Sequence, residues 1–289
     1  MPESEIQFET IAIVGVGLIG GSIALAARER GICKSVIGVG RNPQRLQHAI
    51  DLGVIDESVT SCSELVGVDL VIVCTPVDRI VEDVRTCFAS TPESTLITDA
   101  GSVKSNICRE IHELPNSAER FIGSHPLAGS HQSGFENADA SLYANRKCVL
   151  TPWEDSSKHL IEAMSQFWSR LGMQVHSLSP EEHDRILGLT SHLPHLGASA
   201  IAGLIDDVSV DFAATGFRDT TRVAAGDPGL WAAIFSDNSE QVIEATEQLI
   251  ETLKAYQNAL VANDRAALTD LLRHAQTHRQ LFEKRQKRD

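Results

Sequence analysis

The chain has 289 residues, a formal net charge of -14, and 42% hydrophobic but only 5% aromatic residues, a length and composition that allow one large or two modest domains with aliphatic cores. The acidic balance argues against nonspecific nucleic-acid binding, which needs Lys and Arg to neutralise phosphates, and it obliges any small anionic ligand to meet a local cationic pocket. No apolar run approaches the ~20 residues that span a bilayer. The acidic start Met1-Pro2-Glu3-Ser4-Glu5 lacks a basic-then-apolar leader, so the expectation is a cytoplasmic protein with no membrane partner.

Thr10 to Val14 read as a β-branched strand, followed by Gly15-Val16-Gly17-Leu18-Ile19-Gly20 and an alanine-rich helix from Gly21 to about Arg30. This strand–glycine–helix order is the setting of a dinucleotide fingerprint. The first glycine makes the tight turn, the second lets a pyrophosphate approach the backbone, and the third lets helix pack closely on strand. The helix start offers free N–H groups and a positive dipole end. Gly15, Gly17, Leu18, Ile19 and Gly20 are therefore candidate cofactor contacts. A second strand, Ser35 to Val39, ends in Gly40-Arg41-Asn42 rather than in the Asp or Glu that receives a ribose 2′-hydroxyl. A small residue followed by Arg41 suits a 2′-phosphate, so the cofactor reads as NAD or NADP with a lean to NADP.

Asp69 to Cys74 form an apolar run expected of a buried parallel strand. Thr75-Pro76 end it, and a helix starts near Val77. Ser94 to Thr98 are the next strand, closing at Asp99-Ala100-Gly101-Ser102-Val103-Lys104. Phe121 to Gly123 lead into Ser124-His125-Pro126-Leu127-Ala128-Gly129, and Lys147 to Leu150 make a further strand. Strand ends of an open parallel sheet gather at one crevice, so Thr75, Pro76, Ser102 and His125 are expected to meet there. A histidine at a late strand end could remove a proton where a nicotinamide takes a hydride.

The texture changes after Pro152. Ser156 to Leu171 read as a helix and Gln174 to Ser177 as one more strand. Ser179-Pro180-Glu181-Glu182 has the form of a capping box with Pro at the first helical position. The helix it opens carries Ile186, Leu189, Leu193, Leu196, Ala200 and Leu204 at helical spacing, and Pro194 within it should bend it or free backbone carbonyls. Gly216 to Arg222 read as a polar, cationic loop, Asp227-Pro228 as the start of a helix holding Trp231, and two long helices follow, from about Ser239 to Val261 and from Arg265 to about Arg285. Their apolar faces suggest a shared dimer core. His192 and His195 stand three apart but lack a third ligand, so no metal site is expected. His274 and His278 read as surface residues. The six cysteines, with no C-x-x-C spacing, read as reduced structural thiols.

The ordered set G-x-G-x-x-G-G-S, Asp99-x-Gly-Ser-Val-Lys104, Ser124-His-Pro-Leu-Ala-Gly129, Ser191-His-Leu-Pro-His195 and Gly216-Phe-Arg-Asp-Thr-Thr-Arg222, with Trp231 downstream, resembles the prephenate/arogenate dehydrogenase (TyrA-type) family over nearly the whole chain. The resemblance implies an α/β N-terminal Rossmann domain with a mostly parallel sheet (residues 1–178) and an all-α C-terminal substrate and dimerisation domain (residues 179–289). It implies oxidative decarboxylation of prephenate or arogenate with NAD(P), in a homodimer. It gives His125 the role of catalytic histidine and makes Ser102 the serine contacting that histidine and the nicotinamide. Ser191 and His195 become substrate-side residues and Arg222 the clamp on the ring carboxylate. Arg218, Asp219 and Trp231 become wall positions.

Two departures stand out. His131 occupies a position that is acidic in many relatives, and the lost carboxylate tilts the expected substrate from the ammonium-bearing arogenate toward prephenate. The sequence also ends soon after its last helix, so the C-terminal ACT domain of some relatives is not expected. Two other readings compete. A β-hydroxyacid dehydrogenase would carry a lysine on the interdomain helix, yet no lysine lies between Glu181 and Asp211. A non-catalytic dinucleotide sensor would need Gly15 and Gly17 but neither His125 nor Arg222.

Overall fold

The computed structural model describes residues 7–129 and 132–286. Between Phe8 and Ser177 its described residues interleave strands and helices: β1 (Phe8–Val14), α1 (Leu18–Glu29), β2 (Cys33–Val39), α2 (Pro43–Asp51), β3 (Glu57–Val59), β4 (Leu70–Val73), α3 (Val77–Ser90), β5 (Leu96–Asp99), α4 (Ser105–His112), α5 (Ser117–Arg120), β6 (Phe121–Pro126), β7 (Lys147–Thr151), α6 (Lys158–Arg170) and β8 (Gln174–Ser177). The eight strands form one sheet in the order β3-β2-β1-β4-β5-β6-β7-β8. All neighbours are parallel except β6 and β7.

The strands are apolar on both faces because helices cover both. Along β1, Ile11 and Ile13 enter one core layer with Ile23, Phe167 and Trp168, while Ala12 and Val14 enter the other with Ile80, Val84, Ile107 and Ile111. In β4, Leu70 and Ile72 alternate with Val71 and Val73 in the same way. The two-residue period of a strand thus sorts neighbouring aliphatics to opposite layers. Each fully buried side chain of this kind contributes about 1.5–3 kcal/mol.

From Pro180 the chain is helical: α7 (Pro180–Leu187), α8 (Leu193–Ala202), α9 (Asp207–Val210), α10 (Thr215–Thr221), α11 (Pro228–Asp237), α12 (Ser239–Val261) and α13 (Arg265–Gln286). The contacts divide the chain into two compact units, one running through Ser239 and one from Glu240 onward. In the first, Ile234 of α11 joins the core layer of α3 and α4. In the second, α12 and α13 expose Ile250, Leu253, Leu260, Leu272 and Phe282.

Two local expectations are corrected, and two elements are added. The single helix expected from Ser179 is interrupted by a π-helical turn, Gly188–His192, before α8. Pro194 has no N–H for the carbonyl four residues back, and the wider turn absorbs the mismatch. The capping box itself is formed, with Glu182 N–H donating to Ser179 Oγ and Ser179 N–H to Glu182 Oε2. Gly216 to Arg222 is helix α10 followed by a 3-10 turn, Arg222–Ala225, not a loop. Its inward face comprises only Phe217 and Thr221, one turn apart and too few to register as a period. Finally, α2 and β3 were not anticipated. Asn42 accepts from Gln44 N–H and Arg45 N–H, and Pro43 opens α2, so Asn42 is a helix cap. The six cysteines are free. Among the described residues no helix is long and apolar enough to cross a membrane.

Candidate active site

A cleft of about 500 Å3 opens over the C-terminal ends of β1, β2 and β4. Gly15, Gly17, Arg41, Thr75 and Pro76 line it together with Arg79, Glu82 and Asp83. Gly15 has φ +93°, and a Cβ there would lie 3.0 Å from the Cys74 carbonyl group and the Thr75 nitrogen. A left-handed turn pressed against backbone excludes side chains. A Cβ on Gly17 would meet nothing within 4 Å, so the backbone there is bare toward the cleft. Gly17 is the N-cap of α1, with no side-chain cap and no acidic residue in the first turn. Those helix N–H groups, with Arg41 and Arg79 beside them, fit phosphate oxygens. Leu18, Ile19 and Gly20 do not line the cleft. Leu18 is buried, the Ile19 carbonyl accepts from Tyr143 OH at 2.7 Å, and a Cβ on Gly20 would lie 2.4 Å from Gly15 O and 2.6 Å from Ile13 Cγ2. Thr75 Oγ1 donates to Asp83 Oδ2 at 2.7 Å.

Ser102 and His125 lie along the same sheet edge, past this cleft, after β5 and at the end of β6. His125 is half-buried, with Nδ1 2.8 Å from His183 Nε2. His183 Nδ1 is in turn 2.7 Å from Asp184 Oδ1. The buried Asp184 carboxylate also accepts from Lys104 N–H and Ser105 N–H, both at 2.8 Å, at the start of α4. Burial alone would raise its pKa, but the hydrogen bonds from His183 and Ser105 outweigh this and leave it below the usual carboxylate value. An ionised carboxylate only accepts, so His183 carries its proton on Nδ1. Burial keeps His183 neutral, with a lowered pKa despite the adjacent Asp184, so its Nε2 accepts from His125 Nδ1–H. His125 is then left with a bare Nε2 lone pair. Burial, then the nearby His183, Lys104 and His192, hold its pKa well below 6.5. The arrangement is a neutral imidazole in the tautomer that can accept a proton at Nε2.

The helical residues form a second group. His192 is buried on the π-turn and its Nδ1 lies 3.0 Å from Asn238 Nδ2, which also donates to the Asp184 carbonyl at 2.9 Å. His195 is stacked on Trp231, ring centroids 3.6 Å apart, and its buried Nδ1 has no hydrogen-bond partner. Leaving such an atom unpaired costs about 1–3 kcal/mol, so the stacked imidazole offers a ligand one unused polar atom. Gly226 allows the stack, since a Cβ there would be 2.7 Å from Trp231 Nε1 and 3.0 Å from His195 Cε1. Arg222 heads the 3-10 turn leading to Gly226. It is exposed and, among the described residues, forms no ion pair. Arg218 pairs with its neighbour Asp219 at 3.0 Å, both largely solvent-exposed. Ser191 is half-buried on the π-turn. Among the described residues no cluster of three or more His, Cys, Asp or Glu could hold a metal ion. His131 lies outside the described residues.

Residues 23–177 match the family model for the nucleotide-binding domain of prephenate dehydrogenase, and residues 179–274 match its dimerization domain. The chain belongs to the prephenate dehydrogenase family. It is 31% identical to a prephenate dehydrogenase of Bacillus subtilis, over 96% of this chain and 77% of the relative. It is 30% identical to a cyclohexadienyl dehydrogenase of Zymomonas mobilis, over 94% of this chain and 95% of the relative. The crystal structure of Aquifex aeolicus prephenate dehydrogenase in complex with hydroxyphenyl propionate and NAD+ superposes with a TM-score of 0.88 at 31% identity, covering 96% of this chain and all of that one.

In this prephenate dehydrogenase-family chain, His183, Asp184 and Asn238 stand outside the sequence motifs. One signal was available for the first two. Pro180, His183, Asp184 and Leu187 form the buried face of α7, and a His-Asp pair on an apolar stripe needs partners to be tolerated. Nothing local marked Asn238, which follows α11 and reaches the Asp184 carbonyl and His192 across 54 and 46 positions.

The buried histidines also make a stability prediction. Burial holds His192 down to about 4, and His125 and His183 are lowered too. Unfolded histidines titrate near 6.5, so between the folded and unfolded values the unfolded chain binds more protons. Stability from these neutral rings is complete above about pH 6.5 and is lost as pH falls through the folded values. His192 alone accounts for roughly 3 kcal/mol once pH is below its folded value. Urea unfolding midpoints should decline steadily from about pH 7 to about pH 5, before most carboxylates titrate. A constant midpoint across that range would show that these rings titrate normally.

Proposed function

We propose that the chain is a prephenate dehydrogenase, converting prephenate to 4-hydroxyphenylpyruvate with NAD(P)+ in tyrosine biosynthesis. The observation carrying this reading is the contact chain Asp184–His183–His125, from which we infer an unprotonated His125 Nε2 along the same sheet edge as the glycine cleft. The substrate is a cyclohexadienol with a ring carboxylate para to the alcohol carbon. The nicotinamide, when bound, supplies a hydride acceptor. Gly15, Gly17, Arg41, Thr75 and Pro76 would hold the dinucleotide along the cleft, with Leu18, Ile19 and Gly20 shaping the turn behind it. His125 Nε2 takes the hydroxyl proton as the alcohol carbon is oxidised. The dienone so formed is a vinylogous β-keto acid. It loses CO2 and becomes aromatic, so the enzyme needs no further acid to drive the step.

Ser102 would orient His125 and the nicotinamide. Arg222 would clamp the ring carboxylate, its planar fork suiting bidentate contact. Ser191, the unpaired His195 nitrogen and Trp231 would line the substrate, with Arg218, Asp219 and His131 at the periphery. Residues 1–178 form the dinucleotide-binding domain in this reading, and residues 179–289 the substrate and dimerisation domain of a cytoplasmic homodimer. The exposed Leu204, Phe212, Leu253 and Leu260 support that association. Gly40-Arg41, with no acidic residue following β2, supports NADP over NAD.

Arogenate is the second reading, favoured by the likeness to a cyclohexadienyl dehydrogenase. Initial rates of cofactor reduction, with prephenate or arogenate and with NAD+ or NADP+, separate these readings. The highest kcat/KM is expected for prephenate with NADP+, and absence of turnover with both substrates overturns the function. Arg222→Gln should raise KM for prephenate strongly, since losing one partner of a desolvated charge pair costs about 2–5 kcal/mol. Because Arg222 is exposed in the free chain, the lower end is expected, near thirtyfold. An unaltered KM would place the carboxylate elsewhere.

A further inference from the structure

Asp99 ends β5 with a fully buried carboxylate. The β5–β6 backbone ladder runs only through Ile97↔Phe121 and Thr98↔Ile122. Beyond it, Asp99 Oδ1 accepts from Ser124 N–H at 3.1 Å, so a side chain continues the pairing where the backbone stops. Asp99 Oδ2 accepts from Gly101 N–H at 2.8 Å and from the fully buried ammonium of Lys104. Ser124 immediately precedes His125, and Gly101 immediately precedes Ser102. One carboxylate therefore ties down the backbone next to both residues. The loop is anchored again at its other end, where Lys104 N–H donates to Asp184, the acceptor of His183.

The surroundings are built around this pair. A Cβ on Gly101 would lie 2.6 Å from Ile80 Cδ1, 2.9 Å from Asp99 Oδ2 and 3.2 Å from Lys104 Nζ, and one on Gly123 would lie 2.4 Å from Thr151 Oγ1, 2.8 Å from Cys108 Sγ and 3.1 Å from Lys104 Cδ. Two glycines leave room for the lysine stem and its partner. For stability alone an apolar pair would serve as well, because buried ion pairs roughly break even against hydrophobic replacements. An apolar pair could not accept two directed N–H bonds.

We propose that Asp99, charge-balanced by Lys104, is a positioning residue that sets the placement of His125 relative to Ser102. The inference rests on the reading of His125 as the base and of Ser102 as the residue that orients it. The test is the double variant Asp99→Asn/Lys104→Met, which removes both charges together at nearly constant volume. Asn has one carbonyl oxygen for two N–H groups, so one anchor is lost. Misplacement of reacting groups by about 1 Å costs on the order of 100-fold, so kcat should fall by about that factor. KM for prephenate and the dissociation constant of NAD+, measured by fluorescence, should stay within threefold.

A folded double variant with kcat within threefold of wild type overturns the proposal. So does a parallel loss of kcat and NAD+ affinity, which would mark a merely structural role. Amide NMR of the unaltered protein provides a second readout should the variant not fold. Gly101 and Ser124 N–H should be downfield-shifted and protected from exchange, and rapid exchange at both overturns the proposal. His125→Asn serves as reference. If it retains turnover, the assigned base fails, and the inference with it; retained turnover in the double variant alone removes only Asp99.

Discussion

His125→Asn is expected to lower kcat by about 10^2 to 10^4, the range contributed by a positioned general base, while leaving cofactor affinity near wild type. Asparagine can still pair with His183 but has no lone pair of suitable basicity where Nε2 stands. The glycine cleft is lined by other residues, and neither Ser102 nor His125 is among them, so dinucleotide binding should not register the change. In the unaltered protein, burial and the neighbouring His183, Lys104 and His192 hold the His125 pKa well below 6.5. Only the neutral ring accepts a proton. Activity should therefore be level through neutral pH and fall only on the acid side of the ordinary histidine value. Stopped-flow kinetics and fluorescence titration check both halves of the prediction. Unchanged turnover would remove His125 from the chemistry.

The second large effect belongs to a residue that need not touch substrate. Asp184→Asn is expected to reduce kcat by about 10^2 to 10^4, as when a buried carboxylate behind a working imidazole is amidated in the Ser-His-Asp template. Three donors converge on Asp184: His183 Nδ1, Lys104 N–H and Ser105 N–H. Asparagine has one acceptor oxygen, so at least one donor faces an NH2 group. If His183 faces it, His183 moves its proton to Nε2 and donates to His125 Nδ1. His125 must then carry its own proton on Nε2, where it can no longer take one from the alcohol. Stability should drop as well, since hydrogen bonds to a charged acceptor contribute about 1.5–3 kcal/mol each. Ring 15N chemical shifts of His125 and His183 report the tautomers directly. A variant with wild-type shifts and turnover within fivefold would break the proposed chain.

Much of the first half was legible locally. Strand-forming aliphatic runs, a glycine turn and an alanine-rich helix follow one another within short windows, so β1, α1, β2 and β4 emerge from periodicity and turn chemistry alone. The Ser179 capping box and the Asp227-Pro228 helix start were readable for the same reason: both are satisfied within four residues. Helix α10 is hidden in the sequence because its inward face is too short for its period to show. The π-turn before Pro194 could be foreseen as a disturbance but not as a geometry.

By itself, the sequence determined the alternating sheet, the bare glycine backbone at the start of α1, the helical second half and the family, because each rests on short-range pattern or on ordered motifs. Only the tertiary structure decided which polar residues act together. His125 meets His183 across 58 positions, Lys104 N–H reaches Asp184 across 80, and Asn238 reaches Asp184 across 54. A proton's place on an imidazole is set by what its other nitrogen touches, and that neighbour is supplied by packing between distant elements rather than by any local spacing.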